Sequence, residues 1–341
     1  MLKILINSAI ILALVTIVLG AYTRLTDAGL GCPDWPGCYG AIAAPKQVAQ
    51  IAKAQEKFPN ARVEPHKARN EMLHRYIAGL LGLSIGFISL FCYWKKRNRI
   101  LSAAILFLVF TQAALGMWTV TLNLLPLVVL GHLLGGFSLL SLLVLLRLRV
   151  EKSLVLETEP KLSSLIPLGW LAFIILFAQI SLGAWTSSNY AALACHQLPL
   201  CEAGWQQHFS LQSALHMPLG QATYQYGVLS YDARLSIHVL HRVGALVTFV
   251  ILGSLSVIAW RLASSQTMRR LSLGLMGLLV LQCSLGVINV VAYLPLVNAV
   301  AHNFVAANLL LFLVIFIDQL YQRRSIDHSV IERRLDVIST H

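Results

Sequence analysis

The chain has 341 residues, of which 57% are hydrophobic and only 12% charged, with a formal net charge of +12. A soluble domain carries roughly 25% charged residues, so this composition excludes a pair of soluble domains and describes a polytopic membrane protein. The basic excess falls in short clusters between apolar runs, which is a signature of membrane topology rather than of nucleic-acid binding.

Apolar runs near the roughly 20 residues needed to cross a bilayer are predicted at about 4–22, 72–94, 100–120, 127–146, 165–186, 235–260, 271–292 and 297–320. The expected fold class is therefore all-α, with eight transmembrane helices. Lys3 ahead of the first run imitates a signal peptide, but the length of the run and its later counterpart predict that it is retained. With the N-terminus inside, Lys3, Lys95, Lys96, Arg97, Arg99, Arg147, Arg149, Lys152, Lys161, Arg261, Arg269, Arg270, Arg323, Arg324, Arg333 and Arg334 all fall on the inner side. Arg24, Lys46, Lys53, Lys57, Arg62, Lys67 and Arg69 run against the rule, which weakens over so long a loop. Both termini are expected on the inner side of the membrane.

Two outer loops are long, at about 23–70 and 187–234, and two are short, near 121–126 and 293–296. Long then short, twice, predicts a duplication. A shift of 163 puts Leu19-Gly20-Ala21-Tyr22-Thr23 on Leu182-Gly183-Ala184-Trp185-Thr186, Cys32 on Cys195 and Cys38 on Cys201. The shift becomes 167 for His74-Arg75 on His241-Arg242, and 170 for Gln112, Gly116 and His132 on Gln282, Gly286 and His302. The expected architecture is two tandem parallel four-helix bundles. Residues 1–150 form the first, 151–164 an inner linker, 165–322 the second and 323–341 an inner tail. Ala49, Ala52 and Ala54, set among Lys and Gln, predict a surface helix within 45–70.

Every odd span carries one phrase, Thr16 or Gln112, Gln179 and Gln282 followed four residues later by Gly20, Gly116, Gly183 and Gly286. It fits close helix packing with a hydrogen-bonding Gln; the alternative is space cleared for a flat ligand. The even spans carry the ionisable groups, Glu71-x-x-His74-Arg75 and His132 in one half, His238-x-x-His241-Arg242 and His302 in the other. An ionised side chain at mid-bilayer costs roughly 2.5 to 3.5 kcal/mol on insertion scales, so such groups are read as functional first. Four histidines in two equivalent pairs at similar depth point to axial haem ligands, His74 with His132 and His241 with His302. Zinc is the competing metal and needs further ligands, for which Glu71 and His238 are the evident sources.

Arg75 and Arg242 are candidates for haem propionates or for lipid headgroups, and Arg24 for a propionate. Glu71 in one half against His238 in the other predicts chemistry in the first half and a permanent cofactor in the second, the bland reading being a cap or a partner of Arg75. Cys32, Cys38, Cys195 and Cys201 all lie in outer loops, where disulfides persist; pairing within each loop is the reading taken among three connectivities. Cys92 and Cys283 read as packing residues.

Gly20-Ala21-Tyr22-Thr23-Arg24-Leu25-Thr26-Asp27-Ala28-Gly29-Leu30, Glu71-x-x-His74-Arg75, His132, His241-Arg242 and His302 together resemble the haem A synthase family over about residues 4–320. That resemblance implies a haem-biosynthetic oxidoreductase of cytochrome oxidase assembly. It oxidises the C8 methyl of haem O to formyl by two successive hydroxylations. It also implies haem B on His241 and His302, substrate haem O between His74 and His132, and Glu71 beside the reacting methyl. A membrane enzyme that makes haem O is the implied supplier, lipid surrounds the chain, no nucleic acid is involved and an oligomer is left open. The competing readings are a di-haem b-type cytochrome that takes electrons from quinol without modifying haem, and, more distantly, a transporter.

Overall fold

The computed structural model describes residues 2–150 and 159–339. Residues 151–158 of the predicted linker, Lys152 among them, lie outside the described residues. The described chain folds into α1 (Leu2–Leu25), α2 (Val48–Lys57), α3 (Pro65–Trp94), α4 (Arg99–Thr121), α5 (Pro126–Val150), α6 (Pro160–Ser163), α7 (Ile166–Ser188), α8 (Leu211–Leu215), α9 (Tyr231–Leu262), α10 (Gln266–Val291) and α11 (Leu296–Ser339). Eight of these are long and apolar enough to cross a membrane: α1, α3, α4, α5, α7, α9, α10 and, over Leu296–Arg324, α11. The predicted surface helix is α2, whose Ala54 packs against Cys32, Cys38, Ala68 and Met72.

The main departures from the predicted spans are at helix ends. The second span starts at Pro65 rather than 72, because Pro at the first helical position presets the backbone and its missing N–H costs nothing there. The sixth starts at Tyr231 rather than 235, where the Ser230 hydroxyl accepts the Ala233 N–H at 3.3 Å. Apolar counting registers only the apolar run and misses these polar first turns. The last helix likewise runs past 320 without a break to Ser339.

Each odd span ends in the same way on the side that bears the two long loops. Amide-to-carbonyl bonds spanning five residues close it, from Ala28 to Thr23 at 2.9 Å, Leu124 to Thr119 at 2.8 Å, Ala191 to Thr186 at 2.9 Å and Leu294 to Asn289 at 2.8 Å. They satisfy carbonyls the helix leaves open. The left-handed residue that each closure requires is supplied by Asp27, Asn123, Tyr190 and Tyr293, with φ of 49°, 51°, 53° and 57°.

Among the first four spans α1 packs on α3 and α5, and α4 on α3 and α5; among the last four, α7 packs on α9 and α11, and α10 on α9 and α11. Contacts of α1 with α11, α5 with α7 and α5 with α11 join the two sets. The buried core fills the part of the molecule far from the long loops, with Ile6, Ile85, Leu143, Leu252, Leu313 and Phe316 all shielded. Lipid is as apolar as these side chains, so the core is held by close packing rather than by exclusion of water.

One polar knot sits at that far end. The Glu159 carboxylate, just before α6, accepts Arg323 Nε at 2.8 Å, the Ser265 hydroxyl at 2.5 Å, and the Ser264 and Ser265 amides at 2.6 and 3.2 Å. It ties the start of α6 to the α9–α10 connection and to α11. Burial alone would raise the Glu159 carboxyl, but hydrogen bonds from Ser265, Arg323 and the Ser264 amide hold it below its usual value. A depressed carboxylate stabilises the fold fully above its unfolded pKa of about 4.3 and loses that contribution as pH falls through the lower folded value. Thermal unfolding in detergent should therefore show its midpoint falling below that pH in the wild type. Arg323→Ala, which strands a buried carboxylate, should cost about 3 to 5 kcal/mol at neutral pH.

Candidate functional site

The four histidines lie within the first three turns of α3, α5, α9 and α11, at the long-loop end. They line one cavity of about 1770 Å³ together with Glu71, Arg75, His238 and Arg242. This exceeds the roughly 300 to 1,000 Å³ of a site for one small molecule. Its walls are mostly apolar, with Ile17, Leu81, Leu133, Val243, Val287 and Ala306 among them.

The glycine phrase of the odd spans meets the histidines of the even ones. A Cβ on Gly20 would lie 3.0 Å from His74 Cε1, on Gly183 3.1 Å from His241 Cε1, and on Gly116 and Gly286 3.3 Å from Cε1 of His132 and His302. Sequence reading offered helix packing or room for a flat ligand; what each glycine clears is room for an imidazole. The signal was present as a phrase, but its partner, a residue on the next span, was invisible without the fold.

His74 and His132 face each other with ring centroids 6.5 Å apart and planes at 83°. Two imidazoles that each reach one metal through a nitrogen at about 2 Å have centroids about 6 to 6.5 Å apart, the separation this pair shows. The Nδ1 atoms of His74, His132 and His302 are buried without a hydrogen-bond partner. No third His, Cys or carboxylate joins either pair at metal-binding distance among the described residues. The one such grouping, Cys195, Cys201 and Glu202, uses sulfurs that are bonded to each other. The donor set fits a haem iron, whose other ligands come from the porphyrin, and not a four-coordinate zinc.

Glu71 is 4% exposed. One oxygen accepts the Cys32 amide at 2.8 Å and the other pairs with the Arg75 guanidinium. The helix begins at Pro65 with Glu64 as its cap, so Glu71 is not a cap, whereas the expected pairing with Arg75 is present. Arg75 also donates to the carbonyls of Asp34 at 2.9 Å and Gly37 at 2.5 Å, inside the ring closed by Cys32 and Cys38. The second half repeats the device: Arg242 donates to the carbonyls of Cys195 at 2.9 Å, Gln197 at 2.5 Å and Leu200, inside the ring closed by Cys195 and Cys201. These arginines therefore hold the cysteine loops over the cavity, a role that sequence reading did not assign. Arg242 Nε remains a buried donor without a partner. At the Glu71 position stands His238, 4% exposed, with its Nδ1 unpartnered.

Arg24 lines the cavity and stacks over the Tyr190 ring at 3.9 Å, with its guanidinium donating to the Ser187 carbonyl. The Tyr190 hydroxyl donates to Asp27 at 2.9 Å. Ser187 and Tyr190 are the positions that the shift of 163 puts on Arg24 and Asp27, so counterparts touch counterparts.

Residues 3–314 match the COX15-CtaA family, described as cytochrome oxidase assembly protein. The chain is 49% identical over 312 residues to the haem A synthase of Shewanella oneidensis (strain MR-1), an alignment covering 91% of this chain and 94% of that protein. It is 25% identical over 313 residues to the haem A synthase of Wolbachia pipientis subsp. Culex pipiens, covering 84% and 87%. It is 26% identical over 202 residues to that of Shouchella clausii, covering 56% and 61%. The match reaches all eight candidate membrane helices and includes all four histidines of the cavity, and the chain belongs to the COX15-CtaA family of haem A synthases.

Proposed function

We propose that the protein oxidises the C8 methyl of haem O to a formyl group by two successive hydroxylations, loss of water completing the second. Haem O is held between His74 and His132 in residues 1–150, and haem B between His241 and His302 in residues 165–322. The observation that carries this reading is the single buried carboxylate, Glu71, beside one histidine pair and its replacement by His238 beside the other. The ring of contacts α1–α3–α4–α5 and its repeat α7–α9–α10–α11 support two tandem parallel four-helix bundles, one per haem.

Bound haem B supplies an electron-accepting centre in the same cavity as the substrate. The chain's own contribution begins with Glu71, which the Cys32 amide and Arg75 hold in place. A carboxylate so fixed takes a proton from, or stabilises positive charge on, a substrate carbon that is being oxidised. Arg24, Arg75 and Arg242 line the cavity and offer cations to propionates, and the unpartnered Arg242 Nε is a free donor for one. The apolar walls seat the macrocycle and exclude water.

Disulfide-bonded loops belong on an oxidising side, so the long loops face outward and both termini inward across a bacterial plasma membrane. Haem O then reaches the first half from lipid or from the membrane enzyme that makes it.

Two outcomes test this. Protein expressed with a haem O source, its haems extracted and resolved by chromatography with mass detection, should contain haem A in the wild type. Glu71→Gln should contain haem B with unconverted haem O. Haem B alone in both, despite available haem O, would favour an electron-transfer cytochrome. Second, His241→Ala should lose haem B and its visible spectrum, whereas His74→Ala should keep haem B and lose haem A formation.

A further inference from the structure

The cavity is not walled alike in its two halves. Carrying α3 onto α9 by the shift of 167, and α4 onto α10 by the shift of 170, places Gly79 on Leu246, Gly82 on Phe249 and Val109 on Leu279, and all six residues line the cavity. At each of these positions the first half has the smaller side chain. Gly79 and Gly82 follow His74 by roughly one to two turns of helix, so they lie deeper in the membrane than the ligand. A Cβ on Gly79 would meet nothing within 4 Å, and on Gly82 only Val109 Cγ1 at 3.7 Å. These glycines therefore do not serve close helix packing, the usual reason for glycine in a membrane helix. They leave a slot between α3 and α4. The cavity lining continues beyond it to Leu80 and Leu83, which are 50% and 77% exposed. Their counterparts on α9, Val247 and Val250, are exposed too but do not line the cavity, and Leu279 on α10 is buried.

We propose that this slot is the passage for the isoprenoid chain of haem O, and that Leu246, Phe249 and Leu279 close the matching place in the second half, so that only a haem without such a chain is seated there. These positions determine specificity and take no part in the chemistry. The proposal deepens the reading of the two halves as haem O and haem B sites and rests on it.

The two haems share iron, macrocycle and propionates, and differ in one substituent: haem O bears a long isoprenoid alcohol chain where haem B bears a vinyl group. Histidine pairs and arginines cannot sense that difference, because the chain beyond its hydroxyl has nothing to hydrogen-bond. Only shape can. Lipid is as apolar as the chain, so a gap in the wall lets the chain leave the cavity for the bilayer with no loss of solvation. Where Leu246, Phe249 and the buried Leu279 stand, the same chain would overlap side chains, and such overpacking is resisted. The compartment behind the slot calls for a ligand on independent grounds, since the Nδ1 atoms of His74 and His132 are buried there without a partner.

The test uses the purified full-length protein with haem B in its second half, as wild type and as Gly79→Leu/Gly82→Phe, which installs the second-half residues in the first. Haem O and haem B are each titrated into the first half and followed by visible absorption. Affinity for haem O should fall about 10-fold or more, while that for haem B changes by less than about two-fold. A Cβ has room at both positions, and Leu and Phe form helix better than Gly, so the variant should fold, with its second-half haem B as the check. The converse variant, Leu246→Ala/Phe249→Ala on a His74→Ala background, is purified from cells with a haem O source and its haems are extracted. It should carry haem O in the second half, where His74→Ala alone carries haem B only. Unchanged haem O affinity in the first variant, or equal losses for haem O and haem B, would overturn the proposal, and so would haem B alone in the converse variant. Should Gly79→Leu/Gly82→Phe lose its haem B as well, the converse variant decides. A wild type that takes up no haem O, or one whose uptake survives His74→Ala, overturns instead the ligand assignment beneath the proposal.

Discussion

The contact on which this structure depends is an imidazole ring pressed against a glycine on the neighbouring span. It occurs at Gly20–His74, Gly116–His132, Gly183–His241 and Gly286–His302, at separations of 3.0 to 3.3 Å from the place a Cβ would take. Each contact joins one span to the next, α1 to α3, α4 to α5, α7 to α9 and α10 to α11, so the chain is four helical hairpins built on one device. In lipid, where exclusion of water does not press helices together, close backbone approach and interhelical polar contacts carry that work. The same contact sets the depth and direction of every candidate ligand, so helix packing and site geometry are one constraint.

A second layer governs the loop side. Each cysteine ring is folded onto the arginine that follows a histidine, Arg75 in one half and Arg242 in the other, through several loop carbonyls. A guanidinium with five donors suits this task, because it can serve several carbonyls of one tight ring. In the first half the ring returns a contact of its own, the Cys32 amide on Glu71. The carboxylate is therefore positioned by a disulfide-closed loop as well as by its helix.

Between the halves, Arg24 meets Ser187 and Asp27 meets Tyr190. Positions that match in the duplication touch one another, and α1 packs on α11 as α7 packs on α5. Such self-matching contacts are those of an approximate two-fold axis, the arrangement by which identical subunits usually associate. At the opposite end, Glu159 and Arg323 close the structure with a buried, fully hydrogen-bonded pair.

The sequence by itself determined the eight spans, the four histidines in two pairs, the carboxylate present in one half only, the cysteines two to a loop and the surface helix at Val48–Lys57. These are legible because hydropathy, a strict repeat and rare ionisable residues in apolar runs are local properties of the chain. The resemblance carried by Glu71-x-x-His74-Arg75 and its companions named the family. Only the tertiary structure decided what Gly20 and its three counterparts are for, that Arg75 and Arg242 hold loops, that Glu71 is tied to Cys32, and that the Gln179 and Gln282 side chains lie against His241 and His302. Each of these is a contact between residues well separated in the chain, on different spans or between a span and a loop. Which atoms meet there depends on helix rotation and axial offset to within about an ångström, and the apolar periodicity of a span surrounded by lipid does not specify either.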